Sequence, residues 1–178
     1  AADRDGVAMF DAATGAPKGK VMMAGVVFLN DMTVWKGDVL VSDSGTATIH
    51  KVMPDGASVF ASDPGWDGIN GILGDGDRLL ISTMTEGKLI EWRGPSAGQV
   101  IATGMKDADG VGTIPGGGFL VSSWPGDIHH VSDGGAVTKL IDTRADGILQ
   151  NDLSVFGDVV IVPNWEPGTV SAWRIAGQ

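Results

Sequence analysis

The 178-residue chain has no cysteine, few cations and no long apolar run, and each shortage closes off a class of function. Without cysteine there is no disulfide framework, thiolate metal site or cysteine nucleophile. Lys and Arg number 12 against 22 Asp and Glu, for a net charge of −10. Phosphate binding draws on clustered cations, so nucleic acid is not an expected partner. No apolar stretch approaches the roughly 20 residues that cross a bilayer as a helix, so no membrane association is expected. The opening residues, Ala1 to Gly6, carry neither the basic nor the apolar part of an export leader. A soluble protein is expected, cytoplasmic or, after removal of a leader, periplasmic or secreted. Long helices are not expected either, because apolar residues nowhere recur at i, i+3, i+4 and i+7 over a helical length.

What is present is punctuation and repetition. Gly and Pro number 28 and 8, yet 43% of the residues are hydrophobic, which describes many turns joining apolar segments. A short motif recurs as Leu29-Asn30-Asp31-Met32, Ile69-Asn70-Gly71-Ile72, Ala108-Asp109-Gly110-Val111 and Gln150-Asn151-Asp152-Leu153, with intervals of 40, 39 and 42 residues from one Asn or Asp to the next. That spacing is the period of a four-stranded propeller blade, about 40–45 residues. After each motif comes a Gly- and Asp-rich turn and an apolar run: Val39 to Ser42, Leu79 to Ser82, Phe119 to Ser122 and Val159 to Val162. These read as hairpins leading into buried second strands. Third strands follow at 48–52, 88–92, 127–131 and 169–173, and Asp55-Gly56 and Asp133-Gly134 turn into fourth strands.

The expected fold is therefore an all-β propeller of four-stranded antiparallel blades, with units near 1–28 (the last two strands of a blade), 29–68, 69–107, 108–149 and 150–178 (the first three strands). An open arc exposes apolar faces and strand edges. The chain is accordingly expected to form the C-terminal four blades, partly incomplete, of a six-bladed ring, completed by upstream blades or by self-association.

The repeat resembles the senescence marker protein (regucalcin)/gluconolactonase group of six-bladed propellers and, more distantly, strictosidine synthase-like and NHL propellers. The resemblance is carried by Asn30-Asp31 before Val39 to Asp43, by Ile69-Asn70-Gly71, and by Ala108-Asp109-Gly110-Val111 before Gly118 to Trp124. It implies a divalent cation, usually calcium, at the top of the channel, with Asn70 and Asp109 among its ligands. It further implies that Asn30 faces the substrate and that Asp109 manages the proton in lactone hydrolysis. The family's first-blade Glu has no counterpart in this sequence. Phe28 stands where sugar-lactone members commonly carry Arg, which argues against gluconolactone itself.

The residue types support such a site independently, since amide and carboxylate oxygens are the hard ligands calcium and magnesium take. Each Asn-Asp, Asn-Gly or Asp-Gly pair alone is a turn signal. Four in register on strands that converge on one axis point to a shared pocket, with Asn151 the weakest member. Asp31 and Asp152 follow the register residues, and strand alternation directs them away from it. Trp92 and Trp173 suit blade packing; Trp124, Trp165 and Trp66 lie near loops where they can line a pocket mouth, Trp124 being the candidate substrate contact, although packing is favoured over ligand contact. His50, His129 and His130 read as structural or surface residues. No Gly-x-Ser-x-Gly elbow, His-Glu-x-x-His pair or phosphate loop occurs. Two functions follow: a metal-dependent hydrolase of a small lactone or ester, or a propeller that binds a small molecule or protein without chemistry.

Overall fold

The apolar runs and Gly-Asp turns fold into antiparallel hairpins that form five sheets, arranged as propeller blades, in a computed structural model that describes residues 1–96 and 98–175. The first blade comprises β1 (Ala2–Asp3), β2 (Gly6–Phe10) and β3 (Pro17–Met22). The second comprises β4 (Leu29–Trp35), β5 (Asp38–Asp43), β6 (Thr48–Met53) and β7 (Gly56–Ser62). The third comprises β8 (Ile69–Asp75), β9 (Arg78–Thr83), β10 (Lys88–Trp92) and β11 (Gln99–Ala102), and the fourth β12 (Ala108–Thr113), β13 (Phe119–Ser123), β14 (Asp127–Val131) and β15 (Val137–Asp142). In the fifth, β16 (Leu149–Gln150) and β17 (Ser154–Phe156) share one side of β18 (Val159–Glu166), and β19 (Thr169–Arg174) pairs on the other. Among the described residues no helix is long and apolar enough to cross a membrane.

Five blades replace the expected four from a six-bladed ring. The N-terminal segment is a sheet in its own right because Ala2–Asp3 adds a third strand to the expected two, and because Val7 and Met23 bury against Leu29 and Val41 of the second blade.

The middle of β5, β9 and β13 is an apolar run whose faces pack against the neighbouring blades on either side. In β9, Leu79 and Ile81 pack with Leu40, Ile49, Trp35 and Trp92 between the second and third blades, while Leu80 packs with Val111, Phe119 and Val121 between the third and fourth. Leu120, Ile128, Leu153, Val160 and Val162 fill the next interface. Strand β4 lies against β8, β8 against β12, and β12 against β17, so the innermost strands surround one axis.

In the second, third and fourth blades a buried serine fixes the start of the innermost strand. The register shifts between Leu29 and Met32, between Ile69 and Ile72, and between Ala108 and Val111, so two residues face one on the partner strand. A bulge of this kind leaves an N–H outside the ladder. The orphan is taken by the facing hydroxyl: Asp31 N–H donates to Ser42 Oγ at 3.0 Å, Gly71 N–H to Ser82 Oγ at 2.8 Å and Gly110 N–H to Ser122 Oγ at 2.8 Å. Ser42 then donates across the blade interface to the Asn70 carbonyl at 2.7 Å, and Ser82 donates to the Asp109 carbonyl. One hydroxyl thus satisfies its own bulge and holds the next blade's register residue. In the fifth blade Val162 occupies the place of these serines, and the innermost strand is broken into β16 and β17.

The same close approach explains the glycines. Neither Gly71 nor Gly110 has a positive φ; a Cβ on Gly71 would lie 2.2 Å from the Asp109 carbonyl oxygen, and one on Gly110 would lie 1.9 Å from Asp152 Oδ1. These glycines are required by contact between neighbouring blades rather than by a turn.

Ser82→Ala strands a buried N–H and a buried carbonyl and is expected to cost about 1–3 kcal/mol. Gly71→Ala forces backbone apart and is expected to cost at least about as much. Urea unfolding of both variants checks this; a midpoint equal to that of the native chain for Ser82→Ala would show that the hydroxyl bridge contributes nothing.

Candidate functional site

The bulges aim the register residues into a common cavity of about 350 Å³ at the end of the ring where the innermost strands begin. It is lined by Asn30 of β4, Asn70 of β8, Asp109 of β12 and Asn151 between β16 and β17, together with Phe28, Met84, Trp124 and Trp165. All five residues singled out from sequence, Asn30, Asn70, Asp109, Asn151 and Trp124, therefore border one space. Trp66 does not: it is 1% exposed and meets Trp92 edge-to-face at 5.8 Å in the core. A one-turn helix at Pro64–Trp66, capped by the Asp63 side chain, turns it inward. His50 and His129 lie outside the cavity, beside Asp43 and Ser123 respectively.

The polar floor is tightly held. Asn30 Nδ2 donates to Ser44 Oγ at 3.2 Å, and the Asn70 side chain donates to the Asp109 carboxylate. Asn70 and Asp109 are 3% and 4% exposed. After its amide has bonded Asp109, Asn70 retains a buried Oδ1 with no hydrogen-bond partner. A buried acceptor left in this state is costly unless something at the site supplies a positive or donor group.

Beneath the floor is a second space of about 250 Å³, the central channel, into which Asp31 and Asp152 project among Thr33, Ile72, Val111 and Leu153. Strand alternation had directed both carboxylates elsewhere. The register shift overrides the alternation in β4, so that successive residues Asn30 and Asp31 line the upper cavity and the channel. In the fifth blade the gap between β16 and β17 does the same for Asn151 and Asp152. The available signal was the repeated Ser42, Ser82 and Ser122 opposite the motif, since a small hydroxyl residue in an otherwise aliphatic buried strand marks a place where backbone needs a partner.

Asp31 accepts from Ile72 N–H of the next blade at 2.8 Å and from Met32 N–H at 2.6 Å, and Asp152 accepts from Leu153 N–H at 2.6 Å. Among the described residues no Lys, Arg or His forms an ion pair with Asp31, Asp109 or Asp152. Burial raises all three above the usual carboxylate range; the neighbouring Asp152 charge raises Asp31 and Asp109 further, the latter to about 7. Among the described residues no group of three or more His, Cys, Asp or Glu is gathered to hold a metal, so a cation at the upper cavity would draw on amide oxygen as well as carboxylate.

A further groove of about 380 Å³ lies between the fourth and fifth blades, with Leu120, Ile128, Val160 and Trp173 among its walls and His130 and Arg174 beside them.

No protein-family model matches the chain, and no curated protein matches it. Solved structures do. The nidogen/laminin complex superposes with a TM-score of 0.75 at 12% identity, over 96% of this chain and 68% of that one. Catalytically inactive virginiamycin B lyase from Staphylococcus aureus with quinupristin gives 0.67 at 10% identity, over 94% and 58%. A gluconolactonase from Xanthomonas campestris gives 0.64 at 19% identity, over 90% and 63%. The likeness is one of fold. The chain spans 58–68% of the length of these three.

The raised carboxyls set a pH dependence with a definite sign. Asp109 titrates near 7 when folded against 3.8 as its ordinary value, so the folded state holds the extra proton between these limits. Stability then falls as pH rises from about 4 to 7 and levels off above, the reverse of an ion-paired carboxylate. Without divalent cations, the urea midpoint is expected to be lower at pH 8 than at pH 5. Asp152→Asn, which removes the charge acting on both partners, should shrink that difference; equal midpoints at the two pH values in the native chain would contradict it.

Proposed function

We propose that the chain is a metal-dependent, lactonase-like hydrolase that acts on a small lactone or ester at the upper cavity. The observation that carries this reading is the pairing of Asn70 with Asp109, which leaves a buried amide oxygen without a donor beside a carboxylate without a counter-charge. Both atoms are hard oxygen donors, a combination suited to calcium or another divalent cation. Asn70 Oδ1 and the Asp109 carboxylate are the groups that would hold it. When bound, such an ion supplies Lewis-acid polarisation of the acyl oxygen.

The protein's own groups account for the rest. Asp109, at the cavity floor, takes the proton of attacking water and returns it to the leaving oxygen. Asn151 and Asn30, on either side of the floor, orient the ring or ester oxygen. Trp124 and Trp165 meet edge-to-face at 6.2 Å and give the cavity an aromatic wall. The likeness of fold to a gluconolactonase supports this chemistry, while the Staphylococcus aureus lyase shows that the same fold serves other reactions. The aromatic wall favours one alternative, a propeller that holds an apolar small molecule and leaves it unchanged.

Calcium at a hundredfold excess over its dissociation constant is expected to stabilise the chain by roughly 2.7 kcal/mol. Calorimetry should show this shift, and Asn70→Ala and Asp109→Ala should abolish it. A lactone and ester panel should give turnover that a chelator suppresses and Asp109→Ala lowers at least a hundredfold. Turnover unchanged in Asp109→Ala would overturn the hydrolase proposal.

A further inference from the structure

We infer that the groove between the fourth and fifth blades is a second binding site, separate from the upper cavity, and that it takes a planar aromatic group of the indole kind. The occupant can be read from the chain itself, because the corresponding space between the second and third blades is filled by the protein's own aromatic rings.

The correspondence holds residue by residue. Five positions after Asn30 stands Trp35, and five after Asp109 stands Ile114. Ile49 pairs with Ala61 and Ile128 with Ile141, and the bulge beside each pair sets Phe60 in β7 where Leu140 stands in β15. On the facing blade Trp92 pairs with Leu79, and Trp173 with Val160. The one-turn helix that links the blades ends at Trp66 in the first case and at Asp146 in the second. Between the second and third blades Trp35, Phe60 and Trp66 all pack on Trp92, with ring centroids 6.0, 5.9 and 5.8 Å away. Of these four positions, only Trp173 keeps a ring at the later interface. Ile114 and Leu140 are smaller and Asp146 is exposed, so a hollow of about 380 Å³ takes the place of three rings.

The hollow is open to a ligand. Its inner walls, Leu120, Ile128 and Val160, are buried, while Leu140 and Trp173 are 57% and 37% exposed. Side chains beside a void relax only in part and forgo contacts that an apolar guest restores, and the guest also covers the wetted rings and methyls at the mouth. Trp173 favours an aromatic guest. Its counterpart Trp92 meets its three neighbours with the rings tilted or edge-on, at 57°, 70° and 88°, and such pairs gain beyond the area they bury. Polar side-chain atoms in the lining are confined to the Trp173 N–H, His130 and Arg174, and Arg174 is engaged by Asp158. A polyhydroxylated ligand would therefore leave most of its hydroxyls without a partner. The volume falls within the roughly 300–1,000 Å³ of small-molecule sites.

Isothermal titration of indole, the ring that Trp66 supplies at the earlier interface, into the full chain tests the site, with 1-adamantanol as a non-planar apolar control. Indole is expected to bind saturably and at least tenfold more tightly than 1-adamantanol. Leu140→Phe and Ile114→Trp restore rings that the earlier interface carries; each should weaken indole at least tenfold while the melting temperature holds or rises. Trp173→Ala removes the ring the ligand packs on and should weaken indole as much, which keeps the test decisive if a larger side chain prevents folding. Trp165→Ala, in the upper cavity, should leave indole affinity unchanged. Absence of saturable binding, equal binding of 1-adamantanol, or an affinity indifferent to Leu140→Phe and Trp173→Ala would overturn the inference. So would loss of binding in Trp165→Ala with the groove variants at native affinity, which would place the ring in the upper cavity.

Discussion

The hydroxyls of Ser42 and Ser82 join the architecture to the site. Each receives the N–H that a bulge has released from its own blade and donates to the carbonyl of the register residue on the next, Asn70 or Asp109. Because these groups are buried, an alternative arrangement leaves several polar atoms unpaired at once, which restricts the innermost strands to one relative placement. Apolar layers between blades supply bulk attraction, but such contact is non-directional and tolerates small slides. The serine bridges set position within the attractive layer. Where Val162 stands in the serine's place the innermost strand is split, as expected when no hydroxyl is present to take the bulge's N–H.

The same bulges gather negative charge that the fold does not neutralise. Putting two successive residues of β4 into the interior places Asp31 under Asn30, and the gap in the fifth blade places Asp152 under Asn151. With Asp109 this makes three enclosed carboxylates with no cationic partner among the described residues, each raised by burial. Such charges oppose folding when ionised and are relieved by protons. That conflict between stability and charge is characteristic of sites arranged for binding or chemistry.

Much of the blade plan was legible in the sequence. The intervals separating Asn30, Asn70, Asp109 and Asn151 matched a blade, and the all-apolar runs such as Leu79 to Ile81 matched strands covered on both faces. The convergence of the register residues followed from the symmetry of a ring. The first blade was harder to read, because Ala2–Asp3 is too short to carry a periodic signal and becomes a strand only through pairing with β2. Trp66 was only partly legible: its loop position allowed either a pocket mouth or packing, and the Asp63-capped turn carries it into the core.

By itself the sequence determined the period, the apolar layers and the residues that head each innermost strand, since these depend on composition and alternation along the chain. Only the tertiary structure decided which face Asp31 and Asp152 occupy, why Gly71 and Gly110 follow their motif, and which oxygen is left without a partner. Those outcomes depend on a one-residue register shift and on contacts between residues about 40 positions apart, such as Asp109 against Gly71 and Asp31 against Ile72. A repeating pattern specifies the parts, and the close packing of adjacent blades specifies how the site at their axis is charged and shaped.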